Sequence, residues 1–130
     1  MASIFTKIIN RELPATIVYE DERHIAILDV NPNTKGHTLC IPKQEVNKLF
    51  DLDEKAYDDL MCFSRKIAQG LEQAVSCKRI GMSVIGLEVP HVHVHLIPLS
   101  NMDDARFTSK VKVPQDEMEK LGEAIRAKII

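Results

Sequence analysis

The sequence lacks the features that define several protein classes. Its three cysteines, Cys40, Cys62 and Cys77, are odd in number, widely spaced and never in a Cys-x-x-Cys pair. That fits neither a disulfide framework nor a thiol-rich zinc knuckle, so reduced core thiols are expected. No stretch approaches the roughly 18 consecutive apolar residues of a membrane span. The apolar residues between Met1 and Arg11 are too few for a secretory leader, so a cytoplasmic protein with no membrane partner is expected. The formal net charge is -2 and no Lys/Arg run exceeds two residues, so the positive field that polynucleotide binding needs is missing. Any anionic ligand must be met by a few local groups. Repeats, low-complexity tracts and Pro/Gly/Ser linkers are also lacking, and residues 1–130 are expected to form one domain. What is present, 45% hydrophobic and 28% charged residues, is an ordinary globular composition that supports a real core.

Ser3 is placed to cap a short first helix carrying Phe5, Ile8 and Ile9 before Pro14 stops it. The period then changes to two. Thr16 to Glu20, His24 to Asp29 and His37 to Pro42 read as three strands of an antiparallel meander, joined at Asp21 and by the loop from Asn31 to Gly36. From the N-cap Asp53, apolar residues at Ala56, Leu60, Phe63, Ile67 and Leu71 mark one long amphipathic helix ending near Ser76. Arg79 to Ile85 and Val89 to Leu99 read as two more strands, interrupted at Gly86-Leu87-Glu88. Pro114 opens a last helix with Met118, Leu121, Ile125 and Ile129 on one face. The fold class is α+β: about five mainly antiparallel strands, one long central helix and a C-terminal helix, with helices against one face.

Three of the five histidines fall in Pro90-His91-Val92-His93-Val94-His95-Leu96-Ile97-Pro98-Leu99. Alternation along a strand puts their rings on one face and Val92, Val94 and Leu96 on the other. A merely solvated face is better served by Lys, Glu or Thr, so three histidines in register point to chemistry. A zinc site is one alternative. At about 3.3 Å per residue the first and third Cα atoms lie about 13 Å apart, so two of the rings could ligate one ion, and a third would need help from elsewhere. Nucleophilic and acid-base work suits the row better, because a neutral imidazole is a good nucleophile near pH 7 and its neighbours can donate hydrogen bonds to the same phosphate.

His91-Val92-His93-Val94-His95-Leu96-Ile97 resembles the His-φ-His-φ-His-φ-φ signature of the histidine triad (HIT) superfamily, φ being apolar. Ile4-Phe5-x-Lys7-Ile8-Ile9, Leu13-Pro14-Ala15, Asp29-Val30-Asn31-Pro32 and Gly36-His37-Thr38-Leu39-Cys40-Ile41-Pro42-Lys43 are similar to the family's other blocks, in order. The resemblance implies a HIT-like fold of the Hint-like branch, a homodimer that joins two sheets, and transfer or hydrolysis at nucleoside monophosphates. It makes His93 the nucleophile that takes the α-phosphorus, its other ring nitrogen held as a donor by a backbone carbonyl. His95 would contact the phosphate and leaving group, with His91 and His37 as supporting histidines. Asp29 would bind the ribose hydroxyls, and Ile4, Phe5, Ile8, Ile27 and Val30 would wall the base. A transferase branch has glutamine in place of the third histidine; His95 favours hydrolysis.

Departures from the family pattern lie before the triad. Val84-Ile85-Gly86-Leu87-Glu88-Val89-Pro90 is shorter than the usual stretch and lacks its Asn, Gln and phosphate-contacting hydroxyl. Glu88 in the hydroxyl position would set leaving-group preference if it turned inward, favouring an amine over an anionic phosphate chain. Ser3 and Thr6 stand where some relatives carry a Cys-x-x-Cys pair for a structural zinc, so no metal and no cofactor is implied. The expected activity is hydrolysis of nucleoside 5'-phosphoramidates or related conjugates through a nucleotidyl-histidine. The alternatives are dinucleoside polyphosphate hydrolysis, a nucleotide-binding module without turnover, and a metal-dependent hydrolase. The expected ligand is a nucleoside monophosphate or conjugate.

Overall fold

The computed structural model describes residues 2–129. Helix α1 (Ile4–Ile9) leads into strands β1 (Ile17–Glu20), β2 (His24–Leu28) and β3 (Thr38–Pro42). These are followed by helix α2 (Glu54–Ala74), strands β4 (Arg79–Ser83) and β5 (Val94–Leu99), and helix α3 (Gln115–Arg126). The five strands form one antiparallel sheet in the order β1-β2-β3-β5-β4, the α+β architecture expected. The Asp21 carboxylate makes the β1–β2 turn by accepting from the backbone N–H groups of Arg23 and His24.

Asp53 caps α2 by accepting from the Ala56 N–H at 2.8 Å, and Leu60, Phe63, Ile67 and Leu71 then recur on one buried face. That face, with Met118, Leu121 and Ile125 of α3, packs on Val18, Ala26, Leu28, Cys40, Val94 and Leu96. The short α1 does not join it. Its Phe5 and Ile8 cover the opposite face of the sheet, over Ile25, Ile27, Leu39 and Ile41, so the helices divide between two faces instead of sharing one. Of the cysteines only Cys40 is a core thiol, pushed up to about 12 by burial. Cys62 is exposed on the outer side of α2, and Cys77 is half-buried.

Strands β4 and β5 are shorter than the sequence pattern suggests. Gly86 adopts φ 75°, and Pro90, which has no N–H to give a ladder, sits inside a turn closed by the His91 N–H on the Val89 carbonyl at 2.9 Å. The chain therefore joins β3 only at Val94. Of the three triad histidines, His95 alone lies in the sheet. His91 and His93 occupy an extended approach segment, anchored where the Val92 N–H donates to the Val46 carbonyl at 2.8 Å.

Ile67 is fully buried between α2 and the sheet. Ile67→Ala should lower the unfolding free energy by about 2–5 kcal/mol, measured by urea denaturation. Cys62→Ser on the exposed side should shift it by no more than about 0.5 kcal/mol.

Candidate active site

The sheet face that α1 covers carries Asp29, His37, His91, His93 and His95. His95 is paired with Leu39 of β3, and His37 immediately precedes that strand, so their rings meet. Asp29 follows β2, and its N–H donates to the His37 carbonyl at 2.9 Å. Although only His95 is in a strand, the alternation expected for the row survives. Val92 and Val94 enter the α2 core and the three imidazoles turn the other way, all buried. The fifth histidine, His24, lies on the α2 face, stacked on Phe63 with ring centroids 4.7 Å apart and held by the Asp21 carboxylate.

The hydrogen bonds fix the tautomer of each neutral ring. The Asn33 backbone N–H donates to His37 Nδ1 at 3.0 Å, so His37 carries its proton on Nε2. That N–H donates to His95 Nδ1 at 2.9 Å, which puts the His95 proton on Nε2, directed away from the pair. His93 Nδ1–H donates to the His91 carbonyl at 2.7 Å, leaving His93 Nε2 as a bare lone pair. His91 Nε2–H donates to the Pro42 carbonyl at 2.8 Å and its Nδ1 accepts from the Ser3 hydroxyl at 2.6 Å. The rings pack edge to face, His93 on His95 at 4.9 Å between centroids and Phe5 on His93 at 4.9 Å.

Burial disfavours the charged form of His37, His91 and His95. Burial drives His37 down to about 3 and His95 to about 4, helped by the neighbouring histidines and Lys110. Burial also lowers His91, against the pull of the Pro42 carbonyl. Asp29 moves up, chiefly through burial, while the Asn31 N–H on its Oδ1 at 2.9 Å and the Lys110 charge oppose the rise. The approach of Asp29 Oδ2 to His37 Nε2, 3.6 Å, is therefore not an ion pair at neutral pH. Asp29 is both an Asx turn through Oδ1 and a partly accessible carboxylate facing the histidines through Oδ2.

Asp29, His37 and His95 bring three donor atoms within 4.8 Å of one another, the arrangement a metal would need. The tautomer argues against it. A metal at His37 Nε2 requires the proton to move to Nδ1, where it would face the Asn33 N–H. The zinc position that some relatives build from two cysteines does not fit either. Here the Ser3 hydroxyl is engaged with His91, and the Thr6 hydroxyl donates to Glu45 Oε1 at 2.6 Å, while zinc takes thiolate, imidazole or carboxylate ligands.

The other expected positions divide. Phe5, Ile8 and Ile27 are buried on this face, whereas Ile4 is half-exposed and Val30 is 83% exposed, because it lies just past β2 with nothing packed over it. Glu88 is also exposed. Its charge helps raise the Asp29 carboxyl. Sequence reasoning missed the segment after β5. There Phe107 packs edge-on against His95 at 4.9 Å, and Lys110 lies over the Phe107 ring at 4.8 Å while donating to Asn33 Oδ1 at 2.7 Å. A lone aromatic in the polar run Asp103 to Lys112 was the available signal.

A family model described as the HIT domain matches residues 10–102. The chain belongs to the histidine triad family. A HIT-like protein of Borreliella burgdorferi is 39% identical over 127 residues, 92% of this chain and 91% of its own. An adenosine 5'-monophosphoramidase of Schizosaccharomyces pombe is 29% identical over 132 residues, 99% of each. The crystal structure of a Hit-like protein from Bartonella henselae superposes with a TM-score of 0.85 at 30% identity, covering 97% of this chain and 95% of that one. The triad, His37 and Asp29 thus sit in a HIT fold.

The buried neutral rings make stability depend on pH. The unfolded chain takes up protons at His37 and His95 near pH 6.5, and the folded protein does so only at about 3 to 4. Stability should therefore fall as pH drops from 6.5 toward 4, by about 1 kcal/mol per pH unit for each ring. The raised Asp29 carboxyl works in the opposite sense and cannot produce this fall. In urea titrations at pH 7, 6 and 5, His37→Gln should flatten the slope, and an unchanged slope would mean that His37 is not the group held neutral.

Proposed function

We propose that the protein is a nucleotide hydrolase cleaving nucleoside 5'-phosphoramidates through a nucleotidyl-histidine. The observation that carries this reading is the hydrogen bond from His93 Nδ1–H to the His91 carbonyl, which leaves Nε2 free to attack. The Nε2 lone pair forms a bond to the α-phosphorus as the P–N bond to the amine breaks. The ring becomes a phosphorylated imidazolium whose charge is met by the His91 carbonyl. Water then attacks phosphorus, the P–Nε2 bond breaks, and the nucleoside monophosphate leaves. Over the cycle water supplies the hydroxyl on phosphorus and the proton on the amine.

His95 Nε2–H hydrogen-bonds the phosphate where charge gathers, and His37 keeps that proton on Nε2. Asp29 binds the ribose hydroxyls, with the base against the apolar wall that includes Phe5, Ile8 and Ile27. The phosphoramidase activity of the Schizosaccharomyces pombe relative supports the substrate class. Dinucleoside polyphosphates are a second reading, favoured by Lys110, whose charge is felt at His37 and His95 and suits an anionic leaving chain. The protein acts as a homodimer joined through β4. The β1 edge is capped by the Arg126 guanidinium on the Val18 and Ile17 carbonyls. The β4 side leaves Met82, Ile85 and Leu87 exposed, an open edge suited to pairing.

His93→Ala should abolish turnover of an adenosine phosphoramidate while leaving nucleotide affinity nearly unchanged, since the nucleophile acts in the transition state. Calorimetry and a product assay separate the two, and tight binding without turnover in the wild type would establish a binding module instead. Asp29→Ala should weaken ribonucleotides more than 2',3'-dideoxynucleotides by about 1–3 kcal/mol. Equal losses would reduce Asp29 to a turn residue.

A further inference from the structure

Behind the nucleophile lies a second set of hydrogen bonds that touches no substrate position. Ser3 is buried at the start of α1. Its oxygen accepts the Thr6 N–H at 3.0 Å as an ordinary N-cap, which consumes a lone pair and leaves the hydroxyl proton unspent. Of the two acceptors within its reach, Thr6 Oγ1 at 3.3 Å and His91 Nδ1 at 2.6 Å, the much nearer His91 nitrogen takes that proton. Glu45 clamps the same turn, its Oε1 accepting the Ser3 N–H at 2.8 Å and the Thr6 hydroxyl at 2.6 Å. His91 is fully buried, and its ring is gripped at both nitrogens, by Ser3 and by the Pro42 carbonyl. Its carbonyl is the acceptor for His93 Nδ1–H.

We infer that Ser3 is a positioning residue for the nucleophile, acting through His91. Resting on the assignment of His93 as nucleophile, the inference assigns the Ser3 hydroxyl the job of choosing the His91 tautomer. With Ser3 donating, His91 carries its proton on Nε2 and is locked to Pro42. Without it, Nδ1 has no donor, the ring can take either tautomer, and the Pro42 bond is lost in one of them. The His91 backbone then loosens, and with it the carbonyl that holds His93 Nδ1–H and so keeps Nε2 bare. An N-cap alone needs a side-chain oxygen facing the helix. It does not need a hydroxyl aimed 2.6 Å from a histidine 88 residues away in sequence. Glu45, exposed to solvent, serves the hydroxyl by fixing the turn that presents it.

The test compares the full-length wild type, Ser3→Ala, Ser3→Thr and Glu45→Gln. In steady-state assays with an adenosine phosphoramidate, Ser3→Ala should lower kcat by about 10- to 100-fold, the range for residues that orient a reacting group. KM should change less than about threefold, because no substrate contact is lost. Ser3→Thr, which keeps the hydroxyl, should recover most of kcat, and Glu45→Gln should fall between. The second readout is independent of activity. Nitrogen-15 NMR of the histidine rings should show wild-type His91 protonated on Nε2 and His93 on Nδ1, with both tautomers of His91 appearing in Ser3→Ala. An unchanged kcat, or a loss of kcat with both tautomers intact, would overturn the inference. If Ser3→Ala does not fold, the wild-type spectrum still decides, because His91 protonated on Nδ1 would overturn it. Turnover surviving in His93→Ala would defeat the nucleophile assignment alone, leaving the tautomer result to stand or fall by itself.

Discussion

An imidazole attacks only through the nitrogen that carries no proton, so the proposed chemistry depends on where the histidine protons are placed. Two backbone groups do most of that placing. The His91 carbonyl holds the proton of His93 on Nδ1, and the Asn33 N–H forces the proton of His37 onto Nε2 and thereby that of His95 onto Nε2 as well. Backbone groups have no rotamers to search, so their direction is set by the fold. Much of the surrounding structure bears on those two peptide groups. The Asn33 loop is tied to the segment after β5 by the Val111 N–H on the Pro32 carbonyl, by Asn33 Nδ2 on the Asp104 carbonyl, and by Lys110 on Asn33 Oδ1. The His91 segment is tied to the end of β3 through Pro42 and to the chain after it through Val46.

Keeping the rings neutral has an electrostatic consequence. A site for an anionic phosphate is commonly built from guanidinium or ammonium groups, but in the proposed reaction a cation close to His93 would compete with the positive charge that its ring would acquire. Burial takes the safer course. It suppresses protonation of His37 and His95 and leaves directed N–H groups that suit an anion. Lys110 sits outside, over Phe107, close enough for its charge to reach the rings and one aromatic layer removed from them. The same separation is repeated with opposite sign on the Asp29 side, where Glu88 is exposed and felt only as a background charge.

The fold was largely legible because its cues are local and periodic. The spacing of Leu60, Phe63, Ile67 and Leu71 specifies α2, Asp53 starts it, and the two-residue period of β2 and β3 survives in the sheet. The triad was legible for the same reason, down to the side of the sheet on which the rings fall. The strand ends were not, because pairing is a tertiary property. Pro90 and the positive φ of Gly86 release the chain from the ladder, and an alternating pattern continues through residues that have no partner strand. Exposure at Val30 and Cys62 was likewise invisible, since both residue types are usually buried. Phe107 and Lys110 were missed because each reaches the site across a long stretch of chain, and Asn33, only four residues from His37, because it acts there through its backbone N–H, which no side-chain pattern reveals. Surface hollows point only partly to the site: one of about 730 Å³ bordered by Arg23, Lys43, Lys55 and Asp53 contains no triad member, whereas one of about 340 Å³ is lined by Asn33 and Lys110.

The N-terminal helix is itself held by the groups that surround the histidines. Six residues are far too few to form a stable helix alone in water, so α1 exists only because Phe5 and Ile8 are buried over the sheet and Ser3, Thr6 and Glu45 bond its first turn to the body. The residues that stabilise the helix are also those that touch the histidines, Ser3 at His91 Nδ1 and Phe5 at the His93 ring. Docking of α1 and ordering of the His91 and His93 rings are thus coupled. Where thiolates and zinc would impose the geometry by strong metal bonds, this chain uses a hydroxyl, a hydroxyl and a carboxylate. Each bond is individually weak, and they act together only while the apolar side of α1 stays in place. The hydrophobic burial of two side chains is therefore the condition under which the Ser3 hydroxyl is held against His91 Nδ1.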